Sequence, residues 1–164
     1  LLRVLLGVRF RPRLGPLDES VLHFRVMPHD LDPNLHMNNA RYLGIMDLGR
    51  TDLVLRMGVV RELFRRRWNP VVGHLTIRYR RSLAPFQRYS LHTRLVCWDE
   101  KAFYLEQRFE HRGHLMARAV VRGVFLGPEG TVPATELVRM YGAEQPSPPM
   151  PEGIRAWVQG EGLM

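Results

Sequence analysis

The order of the periodic segments limits this chain more than any other feature: one short alternating stretch, one long helical stretch, then several alternating stretches in succession. VLHFRVMP, residues 21–28, sets Leu22, Phe24 and Val26 against His23 and Arg25, the period of a half-buried strand, and Pro28 ends it. ARYLGIMDLGRTDLVLRMG follows a polar loop and reads as a helix of roughly five turns. Asn38 or Asn39 is its expected N-cap, and Gly58 its expected stop. On a helical wheel Leu43, Met46, Leu53, Val54 and Met57 share one face, while Ile45, Leu48 and Leu55 lie elsewhere, so the helix is expected to be wrapped on more than one side. RELFRRRWNP reads as a basic connection. Beyond it, residues 71–81, 88–98, 102–111 and 115–126 carry the Val, Leu, Tyr and Phe content of strands, separated by turn signals such as Pro85, Asp99 and Gly113. One strand, one long helix and a run of antiparallel strands is an α+β pattern in which the sheet can curl around the helix.

At 164 residues, 45% hydrophobic and 24% charged, the chain has the profile of one packed domain and not of a disordered or membrane protein. The expected division is an N-terminal segment at 1–19, a domain at 20–142 and a Pro-rich C-terminal extension at 143–164. The last portion of the chain divides into a short helical piece, ATELVRMYG, which ends the domain, the proline link QPSPPMPEG and a final amphipathic turn around Ile154, Trp157 and Val158, and Trp157 is expected to pack back onto the domain. The opening LLRVLLGVRFRPRL is broken by arginines and too short to span a bilayer. It reads as an edge segment or a peripheral membrane contact, with no stable insertion. Cys97 is the one cysteine, which excludes an intramolecular disulfide and suits a reducing, cytoplasmic setting. The histidines show no metal-ligand spacing, so no metal site is expected.

A formal charge of +8, nearly all arginine because Lys101 is the only lysine, attracts anions without naming one. A basic module for nucleic acid or an anionic surface is one reading. Against nucleic acid, no RNA-binding aromatic motif, zinc finger or basic helix is visible, and the arginines are scattered. Arg78, Arg80 and Arg81 with Arg88 flank the turn between two expected strands and could hold the phosphates of a nucleotide-bearing cofactor. Alternation on a solvated strand face gives the same pattern.

Chemistry concentrates in Asp30, Asp32, Asn34, His36 and Asn38, immediately before the long helix. A helix N-terminus offers unpaired N–H groups and the positive end of the dipole, which polarise a carbonyl placed there. A carboxylate just upstream can activate water or attack the carbonyl carbon. On composition alone, an Asx-turn and a helix cap explain the same residues.

DLDPNLHMNNARYL, residues 30–43, resembles the active-site signature of the hotdog thioesterases of the 4-hydroxybenzoyl-CoA thioesterase type. His36 to Tyr42 is similar to the member-six branch of the thioesterase superfamily, and the likeness extends to RYRRSL at 78–83 and WDEKAFYLEQRF at 98–109. The resemblance implies a hotdog fold, an antiparallel sheet wrapped around one long central helix, and hydrolysis of an acyl-CoA to free acid and coenzyme A. No cofactor is then required, coenzyme A being part of the substrate. It implies Asp32 as base or nucleophile, Asn39 as the oxyanion-binding amide and His36 as an orienting group. Asn34 and Asn38 fall on substrate-side polar positions that also suit loop formation, with Arg80 and Arg81 toward the coenzyme. Asp30 reads as a surface or turn residue, and Asp47 as an ion-pair partner of an arginine such as Arg50. A homodimer, or a dimer of dimers, is implied as well. Two other roles fit such a fold: hydration of an enoyl-CoA, for which Asp32 and His36 are spaced four apart instead of five, and acyl-CoA binding without turnover.

Overall fold

The computed structural model describes residues 11–140 and 146–161; the edge segment or peripheral membrane contact expected of the opening stretch falls, over residues 1–10, outside the described residues. In chain order the elements are β1 (Glu19–Arg25), α1 (Asn39–Met57), α2 (Val60–Arg66), β2 (Asn69–Tyr79), β3 (Arg88–Trp98), β4 (Phe103–His111), β5 (His114–Gly127), β6 (Gly130–Val132), α3 (Ala134–Met140) and α4 (Glu152–Glu161). All strand pairs are antiparallel, in the order β1-β3-β4-β5-β2, with β6 added to β5. This is the expected α+β layout of a sheet around one long helix.

Alternation along the strands sorts side chains to two faces. Leu91, Phe109 and Ala117 share the inner core with Tyr42 and Met46 of α1, and α1 lies across β1 and β3. Gly49 lets it approach closely: a Cβ there would sit 2.5 Å from Thr93 Oγ1 and 2.7 Å from a Leu91 methyl. Gln107 fixes the contact by donating from Nε2 to the Met46 carbonyl and to Thr93 Oγ1, both at 2.9 Å. The buried face of α1 therefore runs through Tyr42, Met46, Gly49, Leu53 and Arg56. Leu43, expected on the core face, is 39% exposed.

Two polar groups are buried in that face. The Asp52 carboxylate accepts from Arg11 at 2.7 Å, from Ser20 Oγ at 2.6 Å and from Arg56 at 3.5 Å. Arg56 Nε also donates to the Pro12 carbonyl. The segment before β1 is thereby fastened along the helix.

The basic connection is a helix. In α2, Glu62 pairs with Arg65 and Arg66 one turn on, Leu63 is buried, and Arg67 in the left-handed region closes the turn. On the outer sheet face, buried Glu106 lies under Arg94, Arg108 and Arg118. Burial pushes its carboxyl up, but the Arg108 hydrogen bond and the surrounding guanidinium charges outweigh this and hold it below the ordinary value. α4 covers another part of that face: Ile154 packs with Cys97, Ala102 and Tyr104, and Trp157 stands edge-on to His74.

Candidate active site

The loop before α1 is closed by its own backbone. Asp32 N–H donates to the His36 carbonyl at 2.8 Å, Leu35 N–H to the Asp32 carbonyl at 3.0 Å, and Leu31 bridges to Met37. Leu35 holds φ 58, a left-handed conformation that costs a branched-chain residue energy and is common at functional turns. Asp32 is half-buried at this tip. Its Oδ1 accepts from the backbone N–H of Asn34 at 2.9 Å and of His36 at 3.2 Å, whereas its Oδ2 accepts no hydrogen bond among the described residues. The carboxylate is thus oriented by one oxygen and presents the other. The side chains of Asn34 and His36 are exposed and make no hydrogen bond among the described residues.

Backbone donors at the start of α1 can be accounted for one by one. Met37 N–H goes to the Leu83 carbonyl, Asn38 N–H to the Asp30 carbonyl, and Arg41 N–H to the Asn38 carbonyl. Ala40 N–H goes to Asn38 Oδ1 at 2.8 Å, so Asn38 is the N-cap. Among the described residues only the Asn39 N–H in this run has no acceptor. An uncommitted donor at the positive end of a nineteen-residue helix is suited to an oxygen that gains charge.

Tyr79, which the sequence reading passed over, stands beside it. The phenol, at the end of edge strand β2, donates to the Asn39 carbonyl at 3.3 Å, and its ring packs edge-on against Tyr42. Burial raises the Tyr79 hydroxyl above its ordinary value and pushes Tyr42 up to about 12. Both therefore remain protonated donors near neutrality. The signal was the parity of Leu75, Ile77 and Tyr79 along one strand, which sends all three to the same face.

Asp30 is not a surface residue. It is 4% exposed, accepting from Arg41 at 2.7 Å and from Met27 N–H at 2.9 Å, so it braces the loop against the first turn of α1. Asp47 pairs with Arg50, as expected. Arg80 and Arg81 are exposed at the end of β2, both backbone N–H groups donating to the Met116 carbonyl. Arg88 does not join them. Three strand spacings separate β2 from β3 in the sheet order, about 14 Å, and Arg88 instead lies opposite Arg25.

Two concavities concern the candidate site among the described residues. A cavity of about 740 Å³ with mostly apolar walls lies between the second half of α1, α2 and the β2 and β5 strands. A broader one of about 1070 Å³ borders Asp30, Arg41 and Tyr89. Asp32 lines neither. Among the described residues no group of three His, Cys, Asp or Glu could hold a metal ion.

The thioesterase-like superfamily model matches residues 26–158. The chain belongs to that superfamily. Protein THEM6 of Xenopus laevis is 36% identical over 95% of this chain and 75% of its own length. Protein THEM6 of Danio rerio is 48% identical over 64% of this chain, a match that spans about half (52%) of the fish protein. The solved structure of YbaW, a probable thioesterase from Escherichia coli, superposes with a TM-score of 0.70 at 22% identity, covering 74% of this chain and 94% of that one. Its likeness carries the fold, the hotdog arrangement. Within the superfamily match, the loop, the cap and the β2 end converge on one end of the sheet, whereas the apolar cavity lies toward the other.

Proposed function

We propose that this chain hydrolyses acyl-CoA thioesters, with Asp32 as base or nucleophile and the Asn39 N–H as oxyanion donor. The observation that carries the reading is the pairing of two uncommitted atoms: Oδ2 of an Asp32 whose other oxygen is fixed by two amides, and the one amide at the start of α1 without an acceptor among the described residues. In the base route, Asp32 takes a proton from water as its oxygen bonds to the thioester carbon. The carbonyl oxygen gains charge against the Asn39 N–H. Collapse then breaks the C–S bond, and the departing sulfur takes up the proton as the coenzyme A thiol. In the nucleophile route the carboxylate oxygen bonds to the thioester carbon first and the C–S bond breaks, releasing coenzyme A as a thiolate that takes a proton from water; water then hydrolyses the anhydride to the free acid and restores the Asp32 carboxylate. His36, exposed beside Asp32, orients water or substrate, and Arg80 and Arg81 attract the coenzyme phosphates. No cofactor enters.

A homodimer completes this reading. β2 forms a long edge whose outer side pairs with no strand among the described residues, and its end touches Asn39 through Tyr79. A second copy added along that edge would border the site.

The test is release of free thiol from a panel of short, long and aromatic acyl-CoAs by the wild type and by Asp32→Ala. Thiol release that drops by at least about a hundredfold in a folded variant supports the reading. Consumption of an enoyl-CoA without thiol would replace it with hydration. Tight acyl-CoA binding without any turnover would reduce it to a binding role.

A further inference from the structure

Side chains four apart on a helix lie above one another, so one flank of α1 carries Asn39, Leu43, Asp47, Thr51 and, nearly a turn on, Val54. The row begins at the uncommitted amide. Leu43, its second member, is apolar yet 39% exposed. From Asp47 onward the same row lines the 740 Å³ cavity. β2 forms the other wall and runs alongside in the opposite sense: Tyr79 meets Asn39 at the start of α1, and Val71 and Val72 line the cavity at its far end.

We infer that this flank and cavity receive the acyl chain of the substrate, and that the chain is a long hydrocarbon; the inference rests on the hydrolytic reading above. Eight residues separate Asn39 from Asp47, about 12 Å along the axis, and fifteen separate it from Val54, about 22 Å. A short acyl group whose carbonyl is held at Asn39 ends before the cavity and gains nothing from it. A long one passes Leu43 and buries its remainder among Val54, Leu63, Val121 and Phe125. The charged pair Asp47–Arg50 stands where the row enters the cavity, and the walls beyond are mostly aliphatic and aromatic. Such walls exclude water and favour methylenes. α2 and α3 contribute Val60, Leu63 and Leu137 to the enclosure.

The experiment compares butyryl-, octanoyl-, lauroyl- and palmitoyl-CoA by thiol release, and separately measures palmitate binding by displacement of a fluorescent fatty-acid probe. Wild type and Val54→Trp are both tested, with Val60→Trp as a second obstruction and thermal melting as the check on folding. Once the chain reaches the cavity, kcat/KM is expected to rise by up to about fourfold per added methylene. Either Trp variant should cut the palmitoyl-to-butyryl ratio and palmitate affinity at least about tenfold, the scale of losing two buried methylenes. Turnover that is equal for butyryl- and palmitoyl-CoA, together with no palmitate binding, overturns the inference and leaves the hydrolytic reading standing. Absence of turnover on every acyl-CoA, together with palmitate binding that both Trp variants abolish, overturns the hydrolytic reading and keeps the cavity as a hydrocarbon site.

Discussion

Exchanging Asp32 for asparagine separates what its carboxylate does for the loop from what it does for chemistry. Oδ1 accepts two backbone N–H groups at 2.9 and 3.2 Å, and the amide oxygen of an asparagine can accept the same two. Asp32→Ala loses both, which at a half-exposed position costs about 1–2 kcal/mol, a fall in Tm of about 3–6 °C for a domain of this size. Asp32→Asn keeps the acceptor and gives up only the charge assistance, so its Tm should stay within about 2 °C of wild type. Turnover divides differently, because neither variant has a base or an anionic nucleophile at this position. Both should lose about a hundredfold or more in kcat. Thermal melts and thiol-release kinetics on the same preparations give the two readings. If Asp32→Asn melts like wild type and keeps more than about a tenth of its kcat, the residue is a turn-former and the chemistry lies elsewhere.

Asp52→Ala leaves Arg56 buried without its carboxylate; because Arg11 keeps 29% of its side-chain surface, the loss should sit at the low end of the range for breaking a buried pair, about 3 kcal/mol, and Asp52→Ala combined with Arg56→Met should recover most of it in a denaturant titration. Glu19 and Glu106 are both held below the ordinary carboxylate value of 4.5: burial raises each, but His92 and Arg108 at Glu19 and three arginines at Glu106 outweigh it. A depressed folded-state pKa gives stability that is full above the unfolded value and lost as pH falls through the folded one, so acid melts should show stability declining below about pH 4.5, and Glu106→Gln should flatten that decline. Raising salt should increase KM for an acyl-CoA several-fold, while a thioester of the same acyl group on a small uncharged thiol should respond little, as initial rates across a salt series will show.

Local pattern wrote most of the sheet plainly. β3 occupies the expected 88–98, and α1 is capped by Asn38 and stopped at Gly58, left-handed at φ 76, because alternation and caps are short-range signals. α2 was hidden because RELFRRR carries one buried residue, Leu63, and its apolar partners, among them Leu137 and Val138, come from far along the chain. Asp30 looked like any loop aspartate; Arg41, eleven residues on, decides its burial. Arg88 seemed to neighbour Arg80 and Arg81 because the three are close in sequence, but β2 and β3 are not adjacent strands. The loop motif itself was legible, yet no pattern of residue types says which amide lacks an acceptor. That depends on Leu83 and Asp30 each supplying one acceptor and Asn38 supplying two.

Topology also gives the net charge a location that composition withheld. Antiparallel register sets Arg25 directly across from Arg88, a like-charge pair that costs stability. Arg112 lies in the β4–β5 turn, and Arg78, Arg80 and Arg81 at the end of β2. None of these six has a carboxylate partner among the described residues, and all lie at the end of the sheet that carries the Asp32 loop. Further along the sheet the account is balanced: Glu19, Glu106 and Glu110 neutralise His92, Arg94, Arg108 and Arg118. Six unneutralised arginines therefore gather at the end of the sheet that carries the candidate site. Unneutralised arginines repel one another until an anion sits among them, and under the proposed reaction a thioester carried on a polyphosphate would supply that anion on the same molecule that brings the carbonyl to Asn39.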